Sequence, residues 1–378
     1  MTNNLSHRTM HLFIYSQIYD AHAISVKAAL ESIGVKVTRF LSDQLPINAE
    51  ISTLIETNSE KTNFFLPVQN LLHQTDDPVD VVWLRRPVLP QIAGVDIHPD
   101  DVDIVVREWK EYWQSFLAHS FPTASWINPW LSSKRARSKL VQLNIAKQVG
   151  LQIPKTLFSN NSDEIRHFIK NNSFSNGTIV KSFLPVNWKD DAVPKAMYAT
   201  KVDESMLPDD SMLRAIPTIY QERITKSYEV RCTFFGSVCH SAKIVAKKNG
   251  EFLQDWRQGY YSGITIEPYN LPKTIEEKCQ NLMFALGLKF GCFDFIVSTT
   301  GEYVFLEVNE AGQFLWIERY CPEIKMMNAF CEFVLREGSG NTIKHASPNF
   351  TAEEVGRWPE VCTVLNFEKD LYAKTMST

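Results

Sequence analysis

Two densely apolar segments in the last third of the chain, Cys292–Val297 and Tyr303–Asn309, carry carboxylate and amide side chains within patterns typical of buried strands. Alternation assigns these residues to one face of each strand: Cys292, Asp294 and Ile296 in the first, and Tyr303, Phe305, Glu307 and Asn309 in the second. A two-residue turn at positions 300–301 would pair Asp294 with Glu307, and a four-residue loop would shift the pairing but keep the same faces together. The sequence therefore predicts a hairpin whose two carboxylates face each other.

Two carboxylates that face each other across a ladder repel, and burial strengthens the repulsion. A divalent cation between them removes the conflict, and oxygen-only ligands suit Mg²⁺ or Mn²⁺ and not zinc. Asp294, Glu307 and Asn309 are therefore the predicted metal ligands. The alternative is an exposed sheet face with solvated acids, which the run of apolar neighbours in both strands disfavours.

Composition and charge exclude several classes of protein. Of 378 residues, 44% are hydrophobic and 22% are charged, which fits a globular chain of two or three domains. The net charge of -4 gives no sign of a general nucleic-acid binder or a basic membrane anchor. The seven cysteines form no CxxC pair, and no signal-peptide pattern or membrane-spanning stretch is present. We expect a cytoplasmic protein that binds neither nucleic acid nor membrane.

The first part of the chain predicts an open α/β layer. His11–Tyr15 and Val35–Leu41 are strand-like, and a helix capped by Asp20 lies between them. A further strand follows at 80–86, and a long amphipathic helix at 100–118. This β-α-β opening is typical of a sheet with helices packed on its faces.

The rest of the chain predicts a change from helix to strand. The stretch 121–130 is rich in proline and aromatic residues and is interpreted as a linker, and one helix capped by Ser132 or Ser133 is predicted over 133–149. Strands predominate from Thr178, and the last predicted helix covers 322–336. The resulting domain prediction is 1–125, 126–215 and 216–337, followed by a C-terminal extension at 338–378 whose packing stays open.

Phosphate binding, if present, must come from lysines, because the chain has neither a GxxxxGK[ST] nor a GxGxxG loop. Lys139 projects from the edge of the apolar face of the predicted helix 133–149. A lysine that only covers apolar surface is an equal alternative there. Lys181 ends a strand and faces a long polar loop.

Other polar residues lie on neighbouring predicted strands. The extended segment 221–224 could present backbone groups to an adenine edge. Glu229 and Arg231 share a face, so they could contact a ribose and a phosphate, although a simple ion pair is at least as good an interpretation. A two-residue turn at 236–237 places Lys243 on the face opposite Arg231 unless the pairing contains a bulge.

Taken in order, these pieces resemble the ATP-grasp superfamily over about 130–335. The resemblance implies an α/β fold that is α+β in its C-terminal part: an N-terminal Rossmann-like pre-ATP-grasp domain, a central small α/β subdomain and a C-terminal antiparallel-sheet subdomain. The roles it implies are phosphate binding by Lys139 and Lys181, adenine binding by Gln221, Glu222, Arg223 and Ile224, ribose binding by Glu229, Mg²⁺ binding by Asp294, Glu307 and Asn309, and contact with the transferred phosphoryl group by Arg231, Lys243 and Arg257.

Longer motifs resemble the microviridin-type peptide ligases, also called graspetide synthetases, nearly end to end. They are Trp83-Leu84-Arg85-Arg86-Pro87, the stretch from Asn128-Pro129-Trp130 through Lys139 and Gln142-Leu143, Ser227-Tyr228-Glu229-Val230-Arg231, Asp255-Trp256-Arg257 and the run from Asn309 to Glu318. For Arg85 and Arg86 the alternative is a solubilising strand end. For Trp316 we expect core packing rather than contact with substrate.

This resemblance implies an ATP-dependent ligase that uses Mg²⁺, expected as two ions, with Mn²⁺ as an alternative metal. Asp or Glu side chains of a ribosomal precursor peptide would be activated as acyl phosphates. Thr or Ser hydroxyls, or Lys amines, would then close ω-ester or ω-amide rings. The implied partner is a precursor with a leader and a core, and the enzyme is expected to form a homodimer.

The polar segment 184–203 is the predicted peptide-docking surface, because it mixes aromatic anchors with charges. The candidate substrate-binding residues are Trp188, Asp190 and Asp191. A lid that closes over ATP is an equal alternative for this segment.

Two other functions remain open at this stage. One is a RimK-like ligase that adds an amino acid to a protein or a small acid. The other is a non-catalytic ATP- or peptide-binding module, which the complete set of Asp294, Glu307 and Asn309 disfavours.

Overall fold

The computed structural model describes residues 8–375, except for 67–70, 75–77, 93, 174, 185–186, 191–192, 197–198, 249–250, 254–255, 260–262 and 339–345. The strands in chain order are β1 (His11–Ser16), β2 (Lys36–Leu41), β3 (Glu50–Glu56), β4 (Ser59–Leu66), β5 (Leu71–Gln74), β6 (Val81–Leu84), β7 (Ser125–Ile127), β8 (Thr156–Ser159), β9 (Thr178–Lys181), β10 (Asn187–Asp190), β11 (Val193–Ala196), β12 (Thr200–Val202), β13 (Thr218–Glu222), β14 (Lys226–Phe235), β15 (Val238–Lys248), β16 (Glu251–Phe252), β17 (Ile264–Tyr269), β18 (Phe290–Ser298) and β19 (Tyr303–Asn309). The α-helices are α1 (Ala21–Ser32), α2 (Val102–His119), α3 (Trp130–Ala136), α4 (Lys139–Gln148), α5 (Ser162–Ser173), α6 (Asp210–Ala215), α7 (Lys273–Leu286), α8 (Leu315–Tyr320), α9 (Met326–Gly338), α10 (Ala352–Gly356) and α11 (Pro359–Thr375).

A parallel sheet with the order β2-β1-β6-β7 forms the N-terminal part, as the β-α-β pattern predicts. The Asp20 carboxylate accepts hydrogen bonds from the backbone N–H groups of His22 and Ala23, which fixes the start of α1. Both faces of β1 are buried, so its apolar run packs on two cores at once. The stretch predicted as a linker at 121–130 instead contains β7, which pairs with β6.

A small antiparallel sheet of β3, β4 and β5 was not predicted. Most residues of β3 are exposed, so its sequence lacks the apolar alternation that identifies a half-buried strand. Phe64 of β4 is fully buried and packs in the same core as Trp113 and Phe116 of α2. The sheet therefore covers one face of the N-terminal layer.

The single helix predicted over 133–149 is wrong. The chain forms α3, leaves the helix at Arg137, and begins again at α4, whose first turn is capped by the Ser138 hydroxyl accepting from Val141 N–H. Lys139 is thus the first residue of a helix and not part of its middle. The N-terminal end of α4, with its partial positive charge, lies where the sequence predicts phosphate binding.

The central and C-terminal parts are built on antiparallel sheets. The central sheet has the order β12-β9-β13-β8, and the large sheet has the order β16-β15-β14-β18-β19, with β17 beside β15. One face of the large sheet packs on α4 and α7, and its other face meets the core shared with α1 and α9. This succession of a parallel layer and antiparallel layers is the predicted α/β and α+β organisation; the domain boundaries themselves stay a prediction.

The hairpin of β18 and β19 pairs Asp294 with Glu307 as predicted, but its turn and the register next to the turn differ from the prediction. Near the turn Val297 pairs with Tyr303, and the connection is longer than the two residues expected. A bulge leaves Leu306 without a partner and restores the predicted pairing beyond it. Tyr303 and Phe305 therefore lie on the core side, and their predicted grouping with Glu307 is wrong.

The segment after 338 packs on the N-terminal layer through α10 and α11. Glu368 forms a two-pronged ion pair with Arg39, at 2.6 and 2.8 Å, and both side chains are almost fully buried. Glu368 also accepts the Tyr19 N–H at 2.7 Å, and Arg39 donates to the Ser16 hydroxyl at 2.8 Å. The C-terminal extension thus closes the end of the first strand. Among the described helices, none has the length and apolar character that crossing a membrane requires.

We predict that Glu368→Gln lowers the free energy of unfolding by about 3–5 kcal/mol, because it leaves the Arg39 guanidinium buried without its counter-ion. Glu360→Gln, an exposed change on the same helix, is the matched control and should have almost no effect. Urea unfolding followed by circular dichroism measures both variants. Equal stability of the two variants would show that the ion pair does not hold the extension in place.

Candidate active site

A cavity of about 960 Å³ lies between the central sheet, the large sheet and the loop that follows β19. Eleven of the residues predicted from the sequence line it: Lys139, Lys181, Gln221, Glu222, Ile224, Glu229, Arg231, Arg257, Asp294, Glu307 and Asn309. The fold therefore brings most of the predicted metal, nucleotide and phosphoryl residues to one surface.

The two carboxylates of the hairpin are held by cations from other parts of the chain. Arg231 donates to Asp294 Oδ2 at 2.7 Å, and Arg257 Nη2 lies 3.9 Å from the same oxygen. Lys139 pairs with Glu307, and Asn309 Nδ2 donates to Glu307 Oε1 at 3.2 Å. Burial alone would raise the pKa of Glu307, but Lys139 and, with smaller effects, Arg257 and Lys181 lower it to about 2. Glu307 is thus ionised at neutral pH.

The position of Lys139 is fixed by the side chain of Gln142, one turn further along α4. The Gln142 amide donates to Val308 O at 2.9 Å and accepts from Val308 N–H at 2.9 Å, so α4 is fixed to the free edge of β19. This places the N-terminal end of α4, and Lys139 with it, beside Glu307. Gln142 also lines the cavity. In the sequence it was recognised only as part of a longer motif, with no role assigned to it.

Asp294, Glu307 and Asn309 form an oxygen-bearing set on the cavity wall. Such a set fits a hard divalent cation that is shared with phosphates, because Mg²⁺ needs only one or two protein carboxylates. In the described part of the chain, no group of three or more His, Cys, Asp or Glu side chains is placed to hold a metal. The residues present therefore fit magnesium bound together with a phosphate-bearing substrate better than a metal site made of protein ligands alone.

The cavity also has an apolar part, which we call the apolar slot, with polar groups beside it. Its apolar side chains are Leu143, Phe158, Ile179, Ile219, Ile296 and Leu306. Lys181 donates to Gln221 Oε1 at 2.7 Å, and Gln221 in turn donates to the Thr156 hydroxyl at 2.9 Å. The Glu229 carboxylate accepts from Lys226 at 2.5 Å in a buried pair. A flat aromatic base with a charged tail matches this arrangement.

Two predicted residues are not brought to the cavity. Lys243 pairs with Val230, lies over the Tyr228 ring at 5.2 Å and contacts Glu267 at 3.3 Å, all on the other face of the sheet. The β14–β15 register contains no bulge there, so Lys243 does not join Arg231, and grouping them is corrected. Arg223 follows the end of β13 but does not line the cavity. The side chains of Trp188 and Asp190, and the whole of Asp191, lie outside the described residues.

Comparisons with known proteins agree with this geometry. The family model of the MvdD pre-ATP-grasp domain matches residues 12–134. A RiPP-associated ATP-grasp ligase from Chryseobacterium gregarium, solved in complex with ADP and a leader and core peptide, has a TM-score of 0.76 at 24% identity, over 88% of this chain and 98% of that chain. Macrocyclase MdnB from Microcystis aeruginosa has a TM-score of 0.72 at 26% identity, over 86% of this chain and 99% of its own. The resemblance to the microviridin-type ATP-grasp ligases is confirmed.

A second structure from Microcystis aeruginosa, macrocyclase MdnC bound with precursor peptide MdnA, has a TM-score of 0.72 at 25% identity, over 86% of this chain and 100% of that chain. No curated protein matches the chain by sequence. The predicted ATP-grasp fold and the assignment to the ligases are thus confirmed.

The N-terminal layer supports the loop 310–314, a contact that sequence reasoning did not predict. Arg85, only 1% exposed, donates to the Ala311 carbonyl at 2.6 Å, and its Nε lies 3.2 Å from Asp20 Oδ2. His22 Nε2 accepts the backbone N–H groups of Phe314 and Leu315, at 3.2 and 3.1 Å. Burial has the larger effect on His22 and nearby Arg85 the next largest, and together they lower its pKa to about 3. The ring therefore stays neutral at neutral pH and can accept both hydrogen bonds.

The other side of this loop contacts the site itself. Gln313 O accepts from Arg231 Nη2 at 3.2 Å and from Trp316 Nε1 at 3.1 Å. Trp316 stacks on Trp256 at 4.7 Å between ring centroids, and both rings line the cavity. Trp316 therefore borders the site and is not only core packing. The motif Trp83-Leu84-Arg85-Arg86-Pro87 was a signal for the support by Arg85, but sequence alone left a solubilising strand end as the alternative.

Asn128, another motif residue, fixes the backbone at the beginning of β18. Its amide donates to the carbonyls of Phe290 and Glu310, both at 2.8 Å, and its Oδ1 accepts from Lys289 and Phe290 N–H, at 2.7 and 2.9 Å. One buried side chain thus holds both the beginning of β18 and the residue after Asn309.

We predict that Gly312→Ala reduces ADP production by this ligase by about 10-fold or more and lowers stability by about 1–3 kcal/mol. A Cβ at position 312 would lie 2.7 Å from Cys292 Cβ and Sγ, and 3.1 Å from Arg231 Nη2, so the loop or the strand must shift. Gly356→Ala meets no atom within 4 Å and is the control. Steady-state kinetics and urea unfolding check both variants; wild-type behaviour of Gly312→Ala would refute the tight approach.

Proposed function

We propose that this chain is an ATP-dependent ligase that activates Asp or Glu side chains of a ribosomal precursor peptide and joins them to Thr or Ser hydroxyls, or to Lys amines, as ω-ester or ω-amide rings. The observation that carries the proposal is the facing pair Asp294 and Glu307, set among Lys139, Arg231 and Arg257 in a cavity that also contains an apolar slot. Likeness to macrocyclases MdnB and MdnC, one of them solved with its precursor peptide, supports the choice of a peptide as substrate.

ATP would lie with its base in the apolar slot and its phosphates toward the hairpin. Lys139 and Lys181 would bind the phosphates, the backbone of 221–224 would bind the adenine edge, and Glu229 would bind the ribose hydroxyls. The ADP-bound relative from Chryseobacterium gregarium supports ATP as the co-substrate.

Asp294, Glu307 and Asn309 would hold Mg²⁺, and we propose two ions, with Mn²⁺ as a substitute. A PsnB ligase solved with Mg and ADP shares this fold at 19% identity. The metal would neutralise charge on the phosphates and on the attacking carboxylate.

The reaction would have two steps. A carboxylate oxygen of the peptide attacks the γ-phosphorus of ATP, the bond to the bridging oxygen breaks, and ADP leaves with an acyl phosphate formed. A peptide hydroxyl or amine then attacks the acyl carbon, phosphate leaves with the bonding electrons, and the nucleophile loses its proton. Arg257 and Arg231 stabilise the transferring phosphoryl group, since both already approach Asp294 from the cavity side. No covalent intermediate on the enzyme is required.

The precursor would be held by a leader region outside the cavity. The strands β10 and β11 form an antiparallel hairpin that contains Trp188 and Asp190. We propose that these two residues and Asp191 dock the leader, in preference to a lid over ATP. The leader and core peptides bound to the relatives support a two-part substrate. We further propose a homodimer that works in the cytoplasm, where its seven unpaired cysteines would stay reduced.

We predict that Glu307→Gln lowers peptide-dependent ADP production by about 100- to 1000-fold, because one of the two carboxylates that hold the metal is lost. Glu302→Gln, an exposed change in the turn of the same hairpin, should leave the rate unchanged. A coupled ADP assay and mass spectrometry, which detects one water lost per ring, measure turnover. Full turnover by Glu307→Gln at saturating Mg²⁺ would refute the assignment.

We predict that Trp188→Ala weakens binding of a full precursor while ATP affinity stays at the wild-type value. Calorimetry with ATP alone, and with precursor alone, separates the two. Loss of ATP affinity with leader binding retained would identify the segment as a lid instead. Equal activity on precursors with and without a leader would exclude docking at any surface.

A further inference from the structure

The carboxyl ends of the parallel strands β1 and β6 meet at a point where α/β proteins commonly bind ligands. β1 connects through α1 to β2 on one side, and β6 lies on its other side, so the strand order reverses direction between them. The crevice outside such a reversal is the usual ligand position in this class of sheet. In this chain two arginines, Arg85 and Arg86, leave β6 at that crevice.

The two arginines lie in different environments. Arg85 is buried against Asp20 and the Ala311 carbonyl, so it fills the crevice and supports the loop 310–314. Arg86 is partly exposed and lines the reaction cavity. Pro87 restricts the backbone of Arg86 to extended conformations, and Arg86 N–H is held by the Tyr15 carbonyl at 3.3 Å. The backbone at this position is therefore fixed, and the guanidinium is presented to the cavity.

Arg86 differs from the other cavity cations in its partners. Within the described part of the chain, those others each contact an acid or an amide: Arg137 with Glu310, Lys139 with Glu307, Lys181 with Gln221, and Arg231 and Arg257 with Asp294. Arg86 makes no side-chain hydrogen bond or ion pair with any described residue. The acid that Arg86 interacts with, Asp20, already pairs with Arg85. A half-buried guanidinium that shares its acid with Arg85 and makes no side-chain contact of its own favours an anion from outside the protein.

The position of Arg86 indicates which anion it takes. The apolar slot comes from α4, β8, β9, β13, β18 and β19, and the phosphate-facing lysines come from α4 and β9. Arg86 instead comes from the N-terminal layer, on the side of the loop 310–314. The planar fork of a guanidinium matches a carboxylate in two parallel hydrogen bonds, which a lysine cannot reproduce.

We propose that Arg86 is the residue that binds the side-chain carboxylate of the substrate before its activation. The identity of that carboxylate as the group to be activated rests on the proposed function. The specificity of this ligase for acidic side chains over their amides would then reside largely in one residue of the N-terminal layer.

Binding without turnover tests this directly. The probes are a synthetic Thr- and Glu-containing peptide and its twin with Gln in place of each Glu, each titrated in the presence of Mg²⁺ and a non-hydrolysable ATP analogue. We expect the wild type to prefer the Glu peptide by about 10- to 100-fold, the range for one charged hydrogen-bonded contact. Arg86→Gln should lose that preference, and Arg86→Lys should recover only part of it.

Two further measurements make the result decisive. Affinity for the ATP analogue alone should be unchanged in Arg86→Gln, and Arg107→Gln, an exposed arginine change on α2, should behave as wild type in every titration. Preference for Glu retained in Arg86→Gln, or absent in the wild type, overturns the proposal. Loss of ATP-analogue affinity with the Glu preference kept shows that Arg86 binds a phosphate instead.

The proposed function is tested separately on the same wild-type preparation. Mass spectrometry of a precursor incubated with ATP shows whether rings form. If no ring forms while the Glu preference is present and depends on Arg86, the ring-forming function fails and the carboxylate site stands. Rings formed without a Glu preference leave the function intact and remove the site.

Discussion

The close approach of Asp294 and Glu307 on one face of a sheet is the constraint around which the rest of this structure is arranged. Two carboxylates in this position are unfavourable unless cations surround them. The chain supplies these from a helix start, Lys139, from the neighbouring strand, Arg231, and from the segment after β16, Arg257. Each of those elements is in turn fixed to the large sheet or to the loop beyond it.

The N-terminal layer takes part in the same arrangement at a distance. Asp20, His22 and Arg85 do not line the cavity, yet they hold the loop that contacts Arg231 through Gln313. A chain of contacts thus runs from the parallel sheet to the Asp294 carboxylate. The layer that matches the pre-ATP-grasp family model therefore contributes mainly by supporting the site from outside the cavity. Arg86 is the proposed exception.

Local patterns in the sequence were enough for most strands of the parallel and large sheets, the cap at Asp20 and the pairing of the two acids, because period and turn chemistry act over a few residues. They missed the sheet of β3, β4 and β5, and they predicted a linker where β7 lies. They were not enough for the bulge at Leu306 or the break before Lys139. Those features depend on how the strand and helix meet their neighbours, and a pattern of apolar residues does not record that. The roles of Arg85 and His22 were missed for the same reason, since their partners lie 226 and 292 residues away.

The ion pair between Arg39 and Glu368 has a consequence for the order of synthesis. The two residues are 329 positions apart, so the ribosome must add 329 residues after Arg39 before its counter-ion Glu368 exists. N-terminal domains usually fold first as they emerge. Here the Arg39 guanidinium on β2 stays without Glu368 until α11 has been made, so the final packing of this layer is a late event. A chain released before α11 would keep the strand order of the first sheet but lack the Glu368 carboxylate that pairs with Arg39.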